Sequence, residues 1–164
     1  MDQCGVKISS MGIEDLDDVM SIENTSFALP WTRNMFLQEL HLPISRNIVA
    51  KISGNPVAEI AGYMTCWIIA GEMHIQRIAT RKNLRGSGIA SKMMEEMIRR
   101  CAEEGCIWCT LEVGRSNESA RNLYEKYGFT IQGVRPLYYA ERNEDALIMG
   151  AEILECMRVI GNEQ

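Results

Sequence analysis

No stretch of this chain is apolar over the roughly 20 residues that spanning a bilayer requires. A charged leader followed by an apolar core is also missing from the N-terminus, so a cytoplasmic protein with no membrane partner is expected. The chain has no internal repeats, no low-complexity tract and no linker composition. Its 164 residues favour one domain, taken as 1–164. Such a domain buries about 68–70% of its unfolded surface. Hydrophobic (46%) and charged (24%) fractions are ordinary for a globular chain, which excludes disorder as the default. Histidine is scarce. His41 and His74 have no cysteine or serine near them in a nucleophilic pattern, so both read as structural and no covalent intermediate is expected.

The six cysteines are Cys4, Cys66, Cys101, Cys106, Cys109 and Cys156, mostly inside apolar runs. That is how buried, reduced thiols behave. Cys106 and Cys109 make a C-x-x-C pair in a strand-like run, where side chains three apart face opposite ways. No second ligand pair exists, so no metal site is assigned.

Charge is unevenly spread. Residues 74–100 hold seven basic side chains against two acidic, giving +5, so the remainder of a chain with net charge −5 carries −10. A basic zone in an acidic protein suits a compact anionic ligand there and a cationic partner elsewhere. A nucleic-acid binder would be basic overall, so no nucleic acid is expected. Glu95 with Arg99, and Glu96 with Arg100, have i,i+4 spacing and read as solvated helix charge. Arg81, Lys82 and Arg85, which precede that helix, do not.

Periodicity predicts a strand at 6–10, then a helical stripe of Ile13, Leu16, Val19, Met20 and Ile22 broken by Pro30. Thr32 reads as the N-cap of a second helix carrying Met35, Phe36 and Leu40. Strands are expected at 47–53 and 57–70, joined by a turn at Gly54, Asn55 and Pro56, and another at 73–80. The clearest helix is 89–104, with Ala90, Met93, Met94, Met97, Ile98 and Cys101 on one face and Gly105 stopping it. A strand at 106–113, a helix at 117–127 and strands at 129–134 and 146–153 follow. This predicts an α/β fold, a mixed central sheet of about seven strands flanked by about four helices.

Arg85, Gly86, Ser87, Gly88, Ile89 and Ala90 follow a strand and open the long helix. A helix N-terminus offers free N–H groups and about half a positive charge, and glycine lets an anion approach closely. No Gly-Lys-Ser/Thr follows, which excludes a P-loop. Ser91 stands where a dinucleotide fingerprint needs its third glycine. A tight turn and a phosphate site both remain open on these residues alone.

Arg85, Gly88 and Ala90 form Arg-x-x-Gly-x-Ala, which resembles the acetyl-CoA signature of the GNAT N-acetyltransferases. Leu111-Glu112-Val113, Ser116-Asn117, Leu123-Tyr124-Glu125 and Gly128-Phe129 resemble the RimI-type ribosomal-protein-alanine N-acetyltransferases within it. Phe27, Pro30-Trp31-Thr32 and Phe36 near the start, and Tyr138-Tyr139 with Glu144-Asp145-Ala146 near the end, extend the likeness from about residue 8 to 153. One departure stands out. Gly114 replaces the family's arginine after Leu-Glu-Val, and Arg115 follows one place on.

The resemblance implies acetyl-CoA as co-substrate, held at Ile78, Ala79, Thr80, Arg85, Gly86, Ser87, Gly88, Ile89, Ala90, Ser91 and Asn117. A backbone N–H near Ile78 is the implied oxyanion donor. Glu112 is the implied general base. Its apolar neighbours Leu111 and Val113 suggest a carboxylate near the core, although a strand-end glutamate facing solvent fits as well. Tyr124 is the implied acid for the leaving thiolate, or else a packing tyrosine. Asn117 also suits a helix cap. Phe27, Leu29, Tyr138 and Tyr139 are the implied acceptor-peptide contacts, with rim or core packing as the alternative.

At pH 7 roughly one α-amine in six to ten is neutral against about one lysine in 2,500, so an N-terminal acceptor asks less of a base. The implied substrate is the N-terminal alanine of a basic small-subunit ribosomal protein, which agrees with the −10 remainder. A lysine, polyamine or small-molecule acceptor stays open, as does an inactive acyl-CoA-binding module. A monomer is expected.

Overall fold

A computed structural model describes residues 5–53 and 58–162. The turn expected at Gly54, Asn55 and Pro56, the strand start at Val57, and Cys4 lie outside the described residues. The described residues form one seven-stranded mixed sheet, in the order β1-β2-β3-β4-β5-β7-β6, and five α-helices. It divides into two compact units, Met1–Trp67 with Arg77–Met97, and Ile68–Gln76 with Ile98–Gln164.

In the first unit β1 (Val6–Ser10) pairs antiparallel with β2 (Ser45–Ile52), and β2 with β3 (Glu59–Ile69). A register shift at Ala50 and Lys51 bends β2. α1 (Leu16–Ser26) follows a short 3-10 turn, and α2 (Arg33–His41) starts where expected. The Thr32 hydroxyl accepts the Met35 N–H at 3.3 Å, a cap that satisfies a donor with no partner inside the helix. Leu16, Val19, Ile22, Phe36, Val49, Ile60 and Tyr63 form the core, with Phe27 and Trp31 packed on its margin. Ile13 and Met35 are corrections to the helical stripes, because both are exposed.

β4 (Glu72–Thr80) is shared between the units. Its end lies close to β3 at Gly62. A Cβ there would stand 2.8 Å from the Ala79 carbonyl oxygen and 2.9 Å from the Met93 methyl, so no side chain fits. α3 (Ile89–Glu103) buries Met93, Met94, Met97, Ile98 and Cys101 as its apolar stripe requires.

In the second unit β4 pairs parallel with β5 (Trp108–Gly114). β7 (Glu144–Glu152) lies antiparallel between β5 and the edge strand β6 (Thr130–Tyr139). α4 (Glu118–Lys126) follows its cap Asn117, whose side-chain oxygen accepts the Ala120 N–H at 3.2 Å. The described helices number five against about four expected. α5 (Ile153–Asn162) was not anticipated, and it buries Ile153, Cys156 and Ile160. Cys106 lies before β5 rather than in it. Among the described residues no group of three or more histidine, cysteine or acidic side chains could hold a metal. No described helix is long and apolar enough to cross a membrane.

Burial raises the Cys109 thiol, and the neighbouring Cys156, Cys101 and Cys106 add to it. Burial likewise pushes Cys156 up to about 11. These groups keep their protons in the folded state after the unfolded chain has lost them, so the unfolded state binds fewer protons and stability must fall with rising pH. We expect unfolding free energy to be fully present below about 8.5, the ordinary thiol value. It is then lost as pH climbs through about 11. Urea titrations at successive pH values measure this.

Candidate active site

The first unit carries the glycine turn and the 27–31 loop. Gly86 (φ +76°) and Gly88 (φ +81°) both take the left-handed conformation that costs other residues about 1–2 kcal/mol. A Cβ on either would meet nothing within 4 Å, so the turn opens onto free space. The Ser87 hydroxyl donates to the Leu84 carbonyl at 2.5 Å and tightens the turn. The Gly88 carbonyl accepts the Lys92 N–H at 3.1 Å, so α3 begins beside it. The first N–H groups of α3 have no acceptor inside the helix. Ile78, Ala79 and Thr80 end β4, and Ala79 is buried.

Two of the basic residues before α3 also make contacts within their own unit, while Lys82 and Arg85 are exposed. Arg81 donates to the Ile60 carbonyl at 2.9 Å and pairs with Glu59 at 3.0 Å and Asp18 at 3.1 Å. Arg85 donates to the Thr80 carbonyl at 3.2 Å and the Ser26 hydroxyl at 3.1 Å.

Phe27 is half-buried and Leu29 is 67% exposed. Between them and the core lies a polar centre that the sequence reading missed. Glu23 has no exposed surface. Its carboxylate accepts the Trp31 N–H at 2.7 Å and the Tyr63 hydroxyl, and it pairs with Arg77 at 3.5 Å. Burial first, then the Glu23 charge and hydrogen bond, push the Tyr63 phenol far above its ordinary value, against a smaller pull from Arg77. A signal existed: Leu16, Val19, Met20 and Glu23 sit at i, i+3, i+4 and i+7, so a glutamate occupies an apolar-stripe position.

The second unit carries Glu112 and Tyr124. Glu112 lies opposite Ile148 on β7, which lies opposite Gly133 on β6. Arg135 is two residues beyond Gly133 on the same face and reaches diagonally across β7 to Glu112 at 2.5 Å. The Glu112 side chain is 29% exposed, so the core setting expected for it gives way to a half-buried ion pair. The Glu112 hydrogen bond and charge raise the Arg135 guanidinium above its ordinary value. Its guanidinium also lies over the Tyr138 ring at 4.5 Å. Pairing of β6 with β7 lapses between Arg135 and Tyr139. Leu137 there takes φ +52°, held by its N–H donating to Asp145 at 2.9 Å. That bulge leaves Tyr138 exposed, with its ring 5.1 Å from Tyr139.

Tyr124 is buried on α4, its ring 5.8 Å from Phe129. Burial first, then Tyr139 and Cys109, raise its phenol well above the ordinary range. Gly114 lies beside the Glu144 side chain. A Cβ at 114 would stand 2.9 Å from the Glu144 carboxylate, which accepts the Ser116 N–H at 2.5 Å and pairs with Arg142 at 3.4 Å. Those contacts hold the Glu144 carboxyl below its usual range. Arg115 pairs with Asp145 at 3.5 Å.

Residues 16–129 match the acetyltransferase (GNAT) family along most of the chain. The chain belongs to this family. This GNAT chain is 28% identical over 148 residues to the [ribosomal protein bS18]-alanine N-acetyltransferase of Escherichia coli (strain K12), covering 89% of this chain and 97% of that one. A Bacillus subtilis (strain 168) protein provisionally given the same activity is 35% identical over 149 residues, 90% of this chain and 96% of that one. The crystal structure of the Escherichia coli ribosomal-protein-S18-alanine N-acetyltransferase superposes with a TM-score of 0.81 at 27% identity, covering 91% and 94% of the two chains. Ard1 from Thermoplasma volcanium gives 0.81 at 26%, covering 90% and 97%. The GNAT chain is an acyltransferase with the α/β fold of these enzymes. Polar partners beside the expected residues that the sequence reading did not single out are Glu23, Tyr63, Arg77 and Arg135.

Proposed function

We propose that this GNAT enzyme moves an acetyl group from acetyl-CoA to the N-terminal α-amine of a protein, the terminal alanine of a basic small-subunit ribosomal protein. The observation that carries the reading is Glu112, a half-buried carboxylate with a fixed cationic neighbour, in a chain whose relatives are alanine N-acetyltransferases. Acetyl-CoA supplies an acetyl group activated as a thioester. The residues fit it: two glycines in left-handed conformation at the start of a 15-residue helix leave backbone N–H groups open to a pyrophosphate.

The acceptor amine must be neutral to attack and sheds a proton as its nitrogen bonds the acetyl carbon. Glu112 takes that proton. Tyr124 is neutral across the working pH because burial raises it, so it meets the departing sulfur as a hydrogen-bond donor rather than a strong acid. A backbone N–H near Ile78 serves the developing oxyanion. Asn117 caps α4 and is thereby oriented for a cofactor contact as well. Phe27 and Leu29 on the first unit, and Tyr138 and Tyr139 on the second, are the side chains assigned to acceptor contact. Direct transfer needs no covalent enzyme intermediate.

Gly88→Ala tests the cofactor end. The added methyl costs about 1–2 kcal/mol of backbone strain, and it projects into space where nothing lies within 4 Å. We expect the acetyl-CoA KM to rise about tenfold, because the methyl occupies space opened for the pyrophosphate and a loss of about 1.4 kcal/mol in binding is tenfold. Steady-state release of free coenzyme A measures it.

The reading itself is tested with two synthetic hexapeptides, one with a free N-terminal alanine and one blocked there with an internal lysine. Mass spectrometry should show acetylation of the first alone. Turnover of the second, or of neither despite acetyl-CoA binding, contradicts it.

A further inference from the structure

The 27–31 loop is tied at three points. The Arg77 guanidinium carbon stacks over the Phe27 ring at 4.1 Å and the Trp31 ring at 5.0 Å. The same guanidinium donates to the Leu29 carbonyl at 3.1 Å. Glu23 holds the Trp31 N–H at 2.7 Å and neutralises Arg77 from below. The Trp31 ring leans on Phe36 at 5.3 Å. The Leu29 side chain, between exposed Ala28 and Pro30, is itself 67% exposed.

This is a costly way to secure a surface loop. Burying a carboxylate is penalised by several kcal/mol, and a well-packed apolar cluster of similar volume serves stability as well or better. What a charged centre adds is directional constraint. An arginine fork stacked between two rings and bonded to a carbonyl fixes that carbonyl in angle as well as distance. Here the held carbonyl belongs to Leu29, so the backbone from which its apolar side chain projects is held in place.

We propose that Arg77, set by Glu23, is a positioning residue for acceptor selectivity. It holds Leu29 as a rigid apolar wall against the first side chain of the acceptor peptide, without touching the peptide itself. The inference rests on the 27–31 loop lining the acceptor slot. A wall that cannot give way admits a small first residue such as alanine and rejects a branched one. A loosened wall accepts both, because discrimination by shape requires a site that does not relax.

The experiment uses the full chain, acetyl-CoA and two hexapeptides identical except for alanine or leucine at the first position. The enzymes are wild type, Arg77→Ala, Arg77→Lys and Leu29→Ala. Amide hydrogen exchange of the 27–31 segment and the acetyl-CoA KM are measured beside them. In Arg77→Ala we expect faster exchange in this segment, an acetyl-CoA KM within about twofold, and an alanine-over-leucine ratio of kcat/KM reduced about tenfold. Leu29→Ala should lose the same discrimination with exchange unchanged. Arg77→Lys should recover little of it, because an ammonium cannot stack flat between two rings.

If Arg77→Ala frees the segment and the peptide ratio stays at the wild-type value while Leu29→Ala lowers it, the positioning role is overturned and the slot stands. If neither variant changes the ratio, the slot itself is misplaced and the inference falls with it. A uniform rise in both peptide and acetyl-CoA KM would mark Arg77 as merely structural and overturn the proposal.

Discussion

Glu112→Gln lowers kcat/KM for an alanine-first peptide by about 10²–10⁴, the range a positioned general base contributes. The acetyl-CoA KM and the melting temperature stay near wild type. Three features of the site dictate this split. Glutamine matches the glutamate in shape, so the β5 backbone and its pairing to β7 are undisturbed. Its carbonyl oxygen still accepts from Arg135, which is exposed enough to find water for its other donors. What disappears is the ability to take a proton from the amine. If the loss is only about twofold, transition-state stabilisation comes from elsewhere and Glu112 is a salt-bridge residue.

Glu23→Ala destabilises the chain by about 3–5 kcal/mol, the usual result of removing one partner from a buried ionic centre, or roughly 6–20 °C in Tm. The change strands three donors at once: the Tyr63 hydroxyl, the Trp31 N–H and the Arg77 guanidinium. Glu23→Gln should fall between, since an amide oxygen still accepts from Trp31 and Tyr63 while the charge opposite Arg77 is lost. Adding Arg77→Ala to Glu23→Ala should cost little more, because the two share one network and their effects are not additive. Denaturant melts of the four proteins give the cycle. A loss under about 1 kcal/mol in Glu23→Ala would mean that the centre is not energetically coupled to the core.

The readable parts of the fold were those with local causes. Thr32 capped α2 and Asn117 capped α4 because a short polar side chain before an apolar-periodic run has few other uses. α3 showed its stripe and its stop at Gly105, which takes φ +84°. α5 escaped because its first residue, Ile153, continues the apolar run of β7. With only ten residues, its 3.6-residue period had little room to appear. The edge strand β6 runs on to Tyr139 rather than stopping at 134, because a bulge around Leu137 breaks the alternation a strand is read from.

The candidate site divides the same way. Motif residues such as Glu112, Tyr124 and the glycine pair were visible in sequence. Their partners were not. Arg135 reaches Glu112 across an intervening strand, and Glu23 meets Tyr63 forty positions away. Such pairings depend on sheet register, which no local pattern encodes. The charge count did not reveal the partners of Arg81 and Arg85, which are carbonyls, carboxylates and a hydroxyl of their own unit. The Glu144 side chain beside Gly114 was equally invisible in the sequence.

The central claim is that the acceptor is a protein's N-terminal α-amine. The most direct measurement treats unacetylated small-subunit ribosomal proteins with the enzyme and isotopically labelled acetyl-CoA, then locates the label by tandem mass spectrometry. The account predicts label on the first residue of an alanine-first basic protein, absent with Glu112→Gln. Label confined to lysine side chains, or none while free coenzyme A is released onto a small amine, would contradict it.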